Sequence, residues 1–593
     1  MSGLAVLLKA RGCEVSGCDI HVSPRTAWLE SQGVRVFIGH DPSHLASIDE
    51  VIVTPAVSKG ESELLSFRGR VRSRGETLAE IVSASPDSIA VCGSHGKTTT
   101  ATWIAKLLKA LGEDASWCIG GETGSFPVAG VGKGPLVVEA DESVGTLALY
   151  HAKMLVVNAC EYDHPDHFKT EADYFACYEA AKRNAGEVVE SEELDALAVL
   201  DSLENLAAHN RKNARAAVEV ALHRGHKLDD IAKVLPGIVA ELPDRRFQKV
   251  ADGVYTDYAH HPTEMWCAIG MARQICHGTL RVLFQPHRYS RTKALLKDFP
   301  AAFEGADEVV LCPTYAAFEK PVEGGDIADL YRECRTRFDG IKLFLARSCN
   351  EAWEHAHNSM SDGDLTLLLG AGDIIDLVPL VRKTSGAIPK RRTIFIGAGS
   401  NTWKSDLNLN VEYVKTQGPA NAPGASLGIP WMAGIPGSIG GWVKMNAGAF
   451  GHSISEVIEK VKVDGKWLSA AECGFSYRHS DIAGEIQDVI LKPFHPEDAA
   501  KDFLARRKKF PAGTFGSFFK NPPGDHAGRI LEEVGAKNLR VGGAYVWEEH
   551  ANVIVRGPDA TPSDVLALAR LMRNRVLFRL GITLEPEVCG ITF

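Results

Sequence analysis

From Gly12 onward, short β-branched runs alternate with helix-like segments: Val34 to Ile38, Val51 to Val53 and Ile89 to Cys92 read as strands, as does Glu14 to Cys18. That alternation is the rhythm of parallel α/β layers. After Cys92 the apolar residues Ile104, Leu107, Leu108 and Leu111 recur at helical spacing, which predicts a helix over Thr98 to Leu111 with Gly112 as its cap. Between Leu377 and Ile394, proline, glycine and a run of cations interrupt the pattern, and the main boundary falls there. Glycine-rich turns then dominate up to Gly451, after which strand-like runs mix with helices such as the one opened by Thr561 and Pro562. The expectation is an α/β first half and an α+β second half, without internal repeats.

Composition narrows the class. A chain of 593 residues exceeds what one core sustains, so several domains are expected. Its 45% hydrophobic and 24% charged residues match globular proteins. The formal charge of -10 disfavours a nucleic-acid surface, and no apolar run approaches the roughly 20 residues of a membrane span. Thirteen scattered cysteines without paired metal spacing, and no secretory leader pattern, fit reduced thiols and a cytoplasmic location.

The chemistry concentrates in two series of motifs. Gly93-Ser94-His95-Gly96-Lys97-Thr98-Thr99 joins a strand to a helix start, a turn that aims backbone N–H groups at phosphates while lysine reaches the outer ones and a hydroxyl holds Mg2+. Leu136 to Glu139 ends an apolar strand in Glu139, Asp141 and Glu142, and Met154 to Asn158 leads into Glu161, Asp163, His164 and His167, both offering ligands to a nucleotide-bound metal. His209-Asn210 to Asn213, Asp257-Tyr-Ala-His260-His261-Pro-Thr-Glu264 and Gln285-Pro-His287-Arg288-Tyr-Ser-Arg291 follow in order.

This series resembles the Mur ligases, and its last two elements resemble the L-alanine-adding member. The resemblance implies three domains: a Rossmann-like UDP-binding domain (1–85), a P-loop ATPase (86–240) and a Rossmann-like C-terminal domain (241–385). It further implies that Gly93 to Thr99 hold ATP phosphates through the backbone and Lys97, with Asn213 facing adenine and Asp257 the ribose. Thr98, Glu139 and His164 are the implied Mg2+ ligands, with Glu142 competing, and Lys97 and His164 take catalytic roles. His260, His261, His287, Arg288 and Arg291 are implied to hold ligase substrate, namely UDP-N-acetylmuramate and L-alanine.

In the second half, Gly397, Gly399, Ser400 and Asn401 form a strand-to-turn segment that lets backbone approach a pyrophosphate. A second loop carries Gly434, Ile435, Pro436, Gly437, Ser438, Gly440 and Gly441, then Asn446 and Gly448. Tyr477-Arg478, Ser517, Lys520-Asn521, His550-Ala-Asn552 and Glu585-Pro-Glu587 complete a set that resembles the UDP-N-acetylenolpyruvoylglucosamine reductases. That likeness implies a FAD-binding domain (386–495) built on the two glycine loops, and an α+β substrate domain (496–593). It implies that NADPH reduces the flavin, that Ser517 protonates the carbanion left by hydride transfer, and that Arg478 and Glu587 stabilise the enolate-like intermediate. Tyr477, Arg478, Lys520 and Asn521 are implied substrate contacts.

The two resemblances together imply that the product of the second reaction is the acceptor of the first, so that the fusion would join consecutive steps of peptidoglycan precursor synthesis. Both halves read as shortened. The ligase family opens with a strand and a UDP-binding glycine turn, and this chain starts after that point, retaining Asp19 at the end of the second strand. The interval from His167 to His209 is short for the family, and the flavin half lacks an opening hairpin and a segment after Asn401. A degenerate UDP-sugar-binding scaffold and a tripeptide-recycling ligase stay open as alternatives.

Overall fold

A computed structural model describes residues 1–54, 64, 67–121, 126–164, 167–191, 203, 206–384, 392–396, 401–415, 429–432, 435–492, 503 and 510–593. The chain divides into two compact units: unit 1 is Met1–Lys249, Tyr255–Gln274 and Ala316–Glu319, and unit 2 is Val250–Val254, Ile275–Tyr315 and Lys320–Phe593. Among the described residues no helix is long and apolar enough to cross a membrane.

Unit 1 opens with two small parallel pairs, Ser16–Asp19 with Arg35–Ile38 and Glu50–Val53 with Arg70–Ser73. The first strand starts two residues later and ends one residue later than its hydrophobicity predicts, so Asp19 lies inside it. The main sheet has six strands: β1 (Ser88–Cys92), β2 (Ser116–Cys118), β3 (Ala129–Gly130), β4 (Leu136–Glu139), β5 (Met154–Val157) and β6 (Glu187–Glu190), in the spatial order β6-β5-β1-β4-β2-β3. All pairs are parallel except β2 with β3.

Its side-chain alternation explains why the strands read as continuous apolar runs. Ile89 and Val91 face a layer built by helices α1 (Lys97–Ala110), α2 (Ala208–His223) and Leu228–Val239, whereas Ala90 and Cys92 face the opposite layer with Leu78, Val82, Tyr174 and Tyr178. Both faces are covered, as parallel sheets require. Helix α1 starts one residue before the predicted position because Gly96, at φ 79°, supplies the left-handed N-cap; the helix ends at Ala110, and Gly112 follows at φ 91°.

In unit 2, four strands pair in parallel in the order Leu365–Leu369, Leu280–Phe284, Glu308–Leu311 and Lys342–Leu345, burying Leu283, Val310 and Leu368 against Trp353 and Ala356. An antiparallel three-stranded sheet is centred on Ile458–Val463, and a four-stranded one runs Thr514–Ser517, Val553–Arg556, Ala544–Val546, Arg540–Val541. Helix α3 (Ile327–Arg337) of the parallel layer packs against helix α4 (Pro562–Leu580), which Thr561 and Asp564 open as a reciprocal capping box.

Candidate functional site

In unit 1 the strand register gathers chemistry at one sheet edge. Val91 lies opposite Glu139, and Cys92 opposite Val157, so the turn after β1 sits between Glu139 and Asn158 at the carboxyl ends of the strands. That is where doubly wound sheets leave a crevice. The turn tolerates only glycine at two points: a Cβ on Gly93 would lie 2.7 Å from Asn158 Cβ, and one on Gly96 would lie 2.4 Å from Asn213 Oδ1. Asn213 therefore lies against the turn that sequence reading assigned to phosphates. Ser94 Oγ donates to the Glu161 carbonyl at 2.6 Å, which fixes the turn to the loop after β5.

Lys97 Nζ donates to the Gly93 carbonyl at 2.6 Å and to Glu142 Oε1 at 2.8 Å. Burial opposes its charge, and Glu142, Asp141 and Glu139 outweigh burial, holding the ammonium above its usual range. His164, at φ 58°, brings Nε2 to 3.5 Å from the same Glu142 oxygen. Thr98 Oγ1 lies 2.9 Å and 3.0 Å from the two Glu139 oxygens, and Glu139 also accepts from Gly120 N at 2.7 Å. Glu142 is wholly buried, and its Oε2, like His164 Nδ1, has no hydrogen-bond partner. Thr98 with Glu139, and His164 with Glu142, thus form two separate contacts, and the buried Glu142 oxygen without a donor is the atom among them that suits a cation.

Asp257 is half-buried in unit 1, accepting from Phe247 N and Ala259 N at 2.7 Å each. Burial lifts its carboxyl to about 6, against the pull of Arg246. Sequence reading missed a second group: His95 Nδ1 is 3.1 Å from Glu264 Oε1 and its Nε2 is 3.4 Å from Glu161 Oε2, while the His261 ring lies 4.9 Å from the His95 ring, tilted 44° to it. Thr99 is buried in the first turn of α1, and His260 Nδ1 is 3.0 Å from the Tyr258 carbonyl.

In unit 2, His287 stacks on Tyr315 at 5.6 Å, and its Nδ1 is 3.2 Å from Arg291 Nη1. Arg288, at φ 71°, precedes the helix Tyr289–Ala294. Gln285 donates to Asp373 and accepts from Ile374 N at 2.9 Å, closing that loop.

The second site in unit 2 is centred on Arg478. Its Nε donates to Glu587 Oε1 at 2.9 Å and its Nη2 to the Gly448 carbonyl at 3.0 Å, with Tyr477 beneath the guanidinium at 5.1 Å. Burial raises the Glu587 carboxyl, opposed by Arg478 and Lys520. Glu587 N donates to the Phe518 carbonyl at 2.8 Å, which puts Ser517 one residue from that backbone contact. Asn401 Nδ2 donates to the Glu587 carbonyl at 3.0 Å, and its buried Oδ1 is unpartnered. Asn446, at φ 42°, donates to the Ser476 carbonyl at 2.9 Å; Ser438 caps the helix Ile439–Lys444 on Gly441 N; Trp442 donates to Pro436 O at 3.1 Å. Gly437 has φ 122°, Gly440 and Gly441 lie in that helix, and Ile435 N donates to Met432 O at 3.0 Å. The open Asn401 oxygen and the left-handed Gly437 suit a polar cofactor at close approach. Lys520 Nζ is 3.6 Å from Glu585, and Asn521 Oδ1 accepts from Ala527 N at 3.0 Å, capping a short helix. Gly397, Gly399, Ser400 and Gly434 lie outside the described residues.

With this geometry in hand, comparison with known proteins is specific. A model of the Mur ligase family catalytic domain matches residues 1–85, one of the Mur ligase glutamate ligase domain matches residues 245–372, and one of the UDP-N-acetylenolpyruvoylglucosamine reductase C-terminal domain matches residues 508–591. The UDP-N-acetylmuramate L-alanine ligase of Acidothermus cellulolyticus is 33% identical over 443 residues, covering 64% of this chain and 91% of the relative. That of Kineococcus radiotolerans is 35% identical over 446 residues, covering 64% and 93%. In both alignments the matched length exceeds the part of this chain beneath it, so segments of the relatives are absent here. The crystal structure of the UDP-N-acetylmuramate alanine ligase of Thermotoga maritima matches with a TM-score of 0.53 at 23% identity, covering 65% of this chain and 97% of the other, a likeness of fold.

Proposed function

The chain belongs to the UDP-N-acetylmuramate L-alanine ligase family and ends in a reductase C-terminal domain, and from that premise we propose that one polypeptide carries two consecutive steps of peptidoglycan precursor synthesis. The observation that carries the ligase reading is Lys97, held between the Gly93 carbonyl and Glu142 at the edge of a parallel sheet, with Thr98 on Glu139 and His164 alongside. ATP is the proposed phosphoryl donor, UDP-N-acetylmuramate and L-alanine the proposed acceptors, and the cytoplasm the proposed compartment.

The lactyl carboxylate attacks the γ-phosphate of ATP, breaking its bridge to the β-phosphate and releasing ADP, and the L-alanine amine then displaces phosphate from the acyl phosphate. Lys97 neutralises charge on the transferring group, the kind of preorganised interaction that contributes most in such reactions. Mg2+, when bound by Thr98, Glu139 and His164, supplies further charge neutralisation. Glu142 keeps Lys97 ionised and aimed at the turn before nucleotide arrives. Asn213 and Asp257 are proposed to meet adenine and ribose, and His260, His261, His287, Arg288 and Arg291 to hold acceptor.

For the reductase step, FAD, recharged by NADPH, supplies the hydride when bound. Arg478 and Glu587 form a half-buried pair that holds charge beside the substrate carboxylate, and Ser517, one residue before the Phe518 carbonyl that meets Glu587, delivers the proton to carbon. Asn401, Ile435 to Ser438, Gly440, Gly441, Asn446 and Gly448 form the described part of the proposed flavin cradle, and Tyr477, Lys520 and Asn521 the proposed substrate contacts. Five segments, 1–85, 86–240, 241–385, 386–495 and 496–593, are the proposed domains. The test is purified protein assayed for a bound yellow chromophore, enolpyruvyl-dependent NADPH oxidation, and phosphate release from ATP that requires both UDP-N-acetylmuramate and L-alanine.

A further inference from the structure

His95, Glu161 and His261 bring one ligand atom each to within 4.8 Å of one another, in unit 1. His95 Nε2 lies 3.4 Å and His261 Nδ1 3.9 Å from Glu161 Oε2. Donor atoms around a tetrahedral zinc, with bonds of about 2.0–2.1 Å, stand roughly 3.3 Å apart, so small side-chain movements close the set. The three are distinct from the Thr98, Glu139 and His164 set, although His95 lies in the Gly93 to Thr99 turn and His261 is also a proposed acceptor contact, so a metal here would sit beside the ligase site.

The surroundings resemble those of metal ligands rather than of a chance cluster. The other ring nitrogen of His95 is held by Glu264 Oε1 at 3.1 Å, and Glu264 is itself fixed by His260 N at 3.1 Å. A carboxylate behind a ligating imidazole is the usual device for fixing its orientation and raising its basicity. Thr263 Oγ1 donates to Glu161 Oε2 at 2.7 Å, orienting the carboxylate, and its N–H contacts His261 Nδ1 at 3.4 Å, a long contact that a metal would replace. His95 and His261 are nearly buried, while Glu161 is reached from solvent, which gives an ion an entry path.

We propose that His95, Glu161 and His261 form a cation site separate from the Mg2+ ligands, taking a borderline divalent metal such as Zn2+ and leaving at least one coordination position open. Two imidazoles and one carboxylate favour such ions over Mg2+, which prefers an all-oxygen shell. The site stands independently of the ligase reading, since metal binding is measured without any substrate.

Co2+ titration of the full chain tests it. One Co2+ per chain is expected, with visible absorption of nitrogen and oxygen coordination and no thiolate-to-metal band. Stoichiometric Zn2+ should bleach it, and a large excess of Mg2+ should not. His261→Ala should remove the band, and Glu264→Gln, which touches no metal, should weaken Co2+ binding by about 10–100-fold; Glu161→Gln serves as the second ligand variant, each compared by circular dichroism with the parent. A thiolate band, displacement by Mg2+, or parental Co2+ affinity in a folded His261→Ala or Glu161→Gln protein would overturn the proposal.

Discussion

Arg570, on helix α4, grips Asp326, the N-cap of helix α3, through Nε at 3.2 Å and Nη2 at 3.4 Å, joining segments 244 residues apart inside unit 2. Burial alone would raise the Asp326 carboxyl, and Arg570 outweighs it, keeping the acid below its usual range. Tyr331 adds a hydrogen bond to Asp564 at 3.0 Å, and Leu345 N donates to Ser563 Oγ at 3.0 Å. The helix that ends the reductase-like segment is thus built into the parallel layer that precedes it.

Arg570→Ala strands a buried carboxylate, for which the cost is about 3–5 kcal/mol. Urea unfolding followed by a probe in unit 2 should show an earlier midpoint, corresponding to a loss of that much unfolding free energy. An unchanged midpoint would mean that Asp326 finds water or another donor.

Lys97→Met removes the cation from the phosphate turn and leaves Glu142 buried without it. Ligase-dependent phosphate release should fall by about 10²–10³-fold or more, while NADPH oxidation with the enolpyruvyl substrate stays at the parental rate. Parallel loss of both activities would point to unfolding instead.

His95 carries a pH signature in chelator-treated protein. Burial lowers its proton affinity, but the hydrogen bonds to Glu161 and Glu264 outweigh burial and lift its pKa from 6.5 to about 9. A folded-state value above the unfolded one stabilises fully below about pH 6.5, and that stabilisation is lost as pH rises through about 9. The shift corresponds to an upper bound of about 3 kcal/mol. Melting temperature should fall across that window, and His95→Gln should flatten the slope; a parental slope in that variant would assign it to other groups.

Ser517→Ala should slow enolpyruvyl reduction by about 10²–10⁴-fold, the usual span for a positioned proton donor, without slowing flavin reduction by NADPH in stopped flow. Equal slowing of both half-reactions would mean that the strand Thr514–Ser517 positions the flavin rather than the proton.

The turn from Cys92 to Lys97 was legible because phosphate cradles need glycine, lysine and a hydroxyl in fixed order, and the apolar period of α1 marked its buried face. The acidic strand end was only half legible: Glu139 and Glu142 lie three residues apart, and chain order alone does not say which one meets Thr98. The fold separates them, since Glu139 closes β4 in register with Val91 while Glu142 turns inward to Lys97. The pairing of His95 with Glu264 spans 169 residues, and that of Arg570 with Asp326 spans 244. No local period encodes such contacts; they follow from how layers stack. The motif Asp257 to Glu264 did single out His261, but as a substrate contact rather than as a neighbour of His95, and it gave Glu264 no role.

The most direct measurement of the central claim is a one-pot assay of the purified chain with UDP-N-acetylenolpyruvoylglucosamine, NADPH, ATP, Mg2+ and L-alanine and no other enzyme. NADPH oxidation accompanied by phosphate release is expected, the latter abolished when either NADPH or L-alanine is left out. Phosphate release indifferent to NADPH, or NADPH oxidation yielding a product that the same chain never joins to L-alanine, would contradict it.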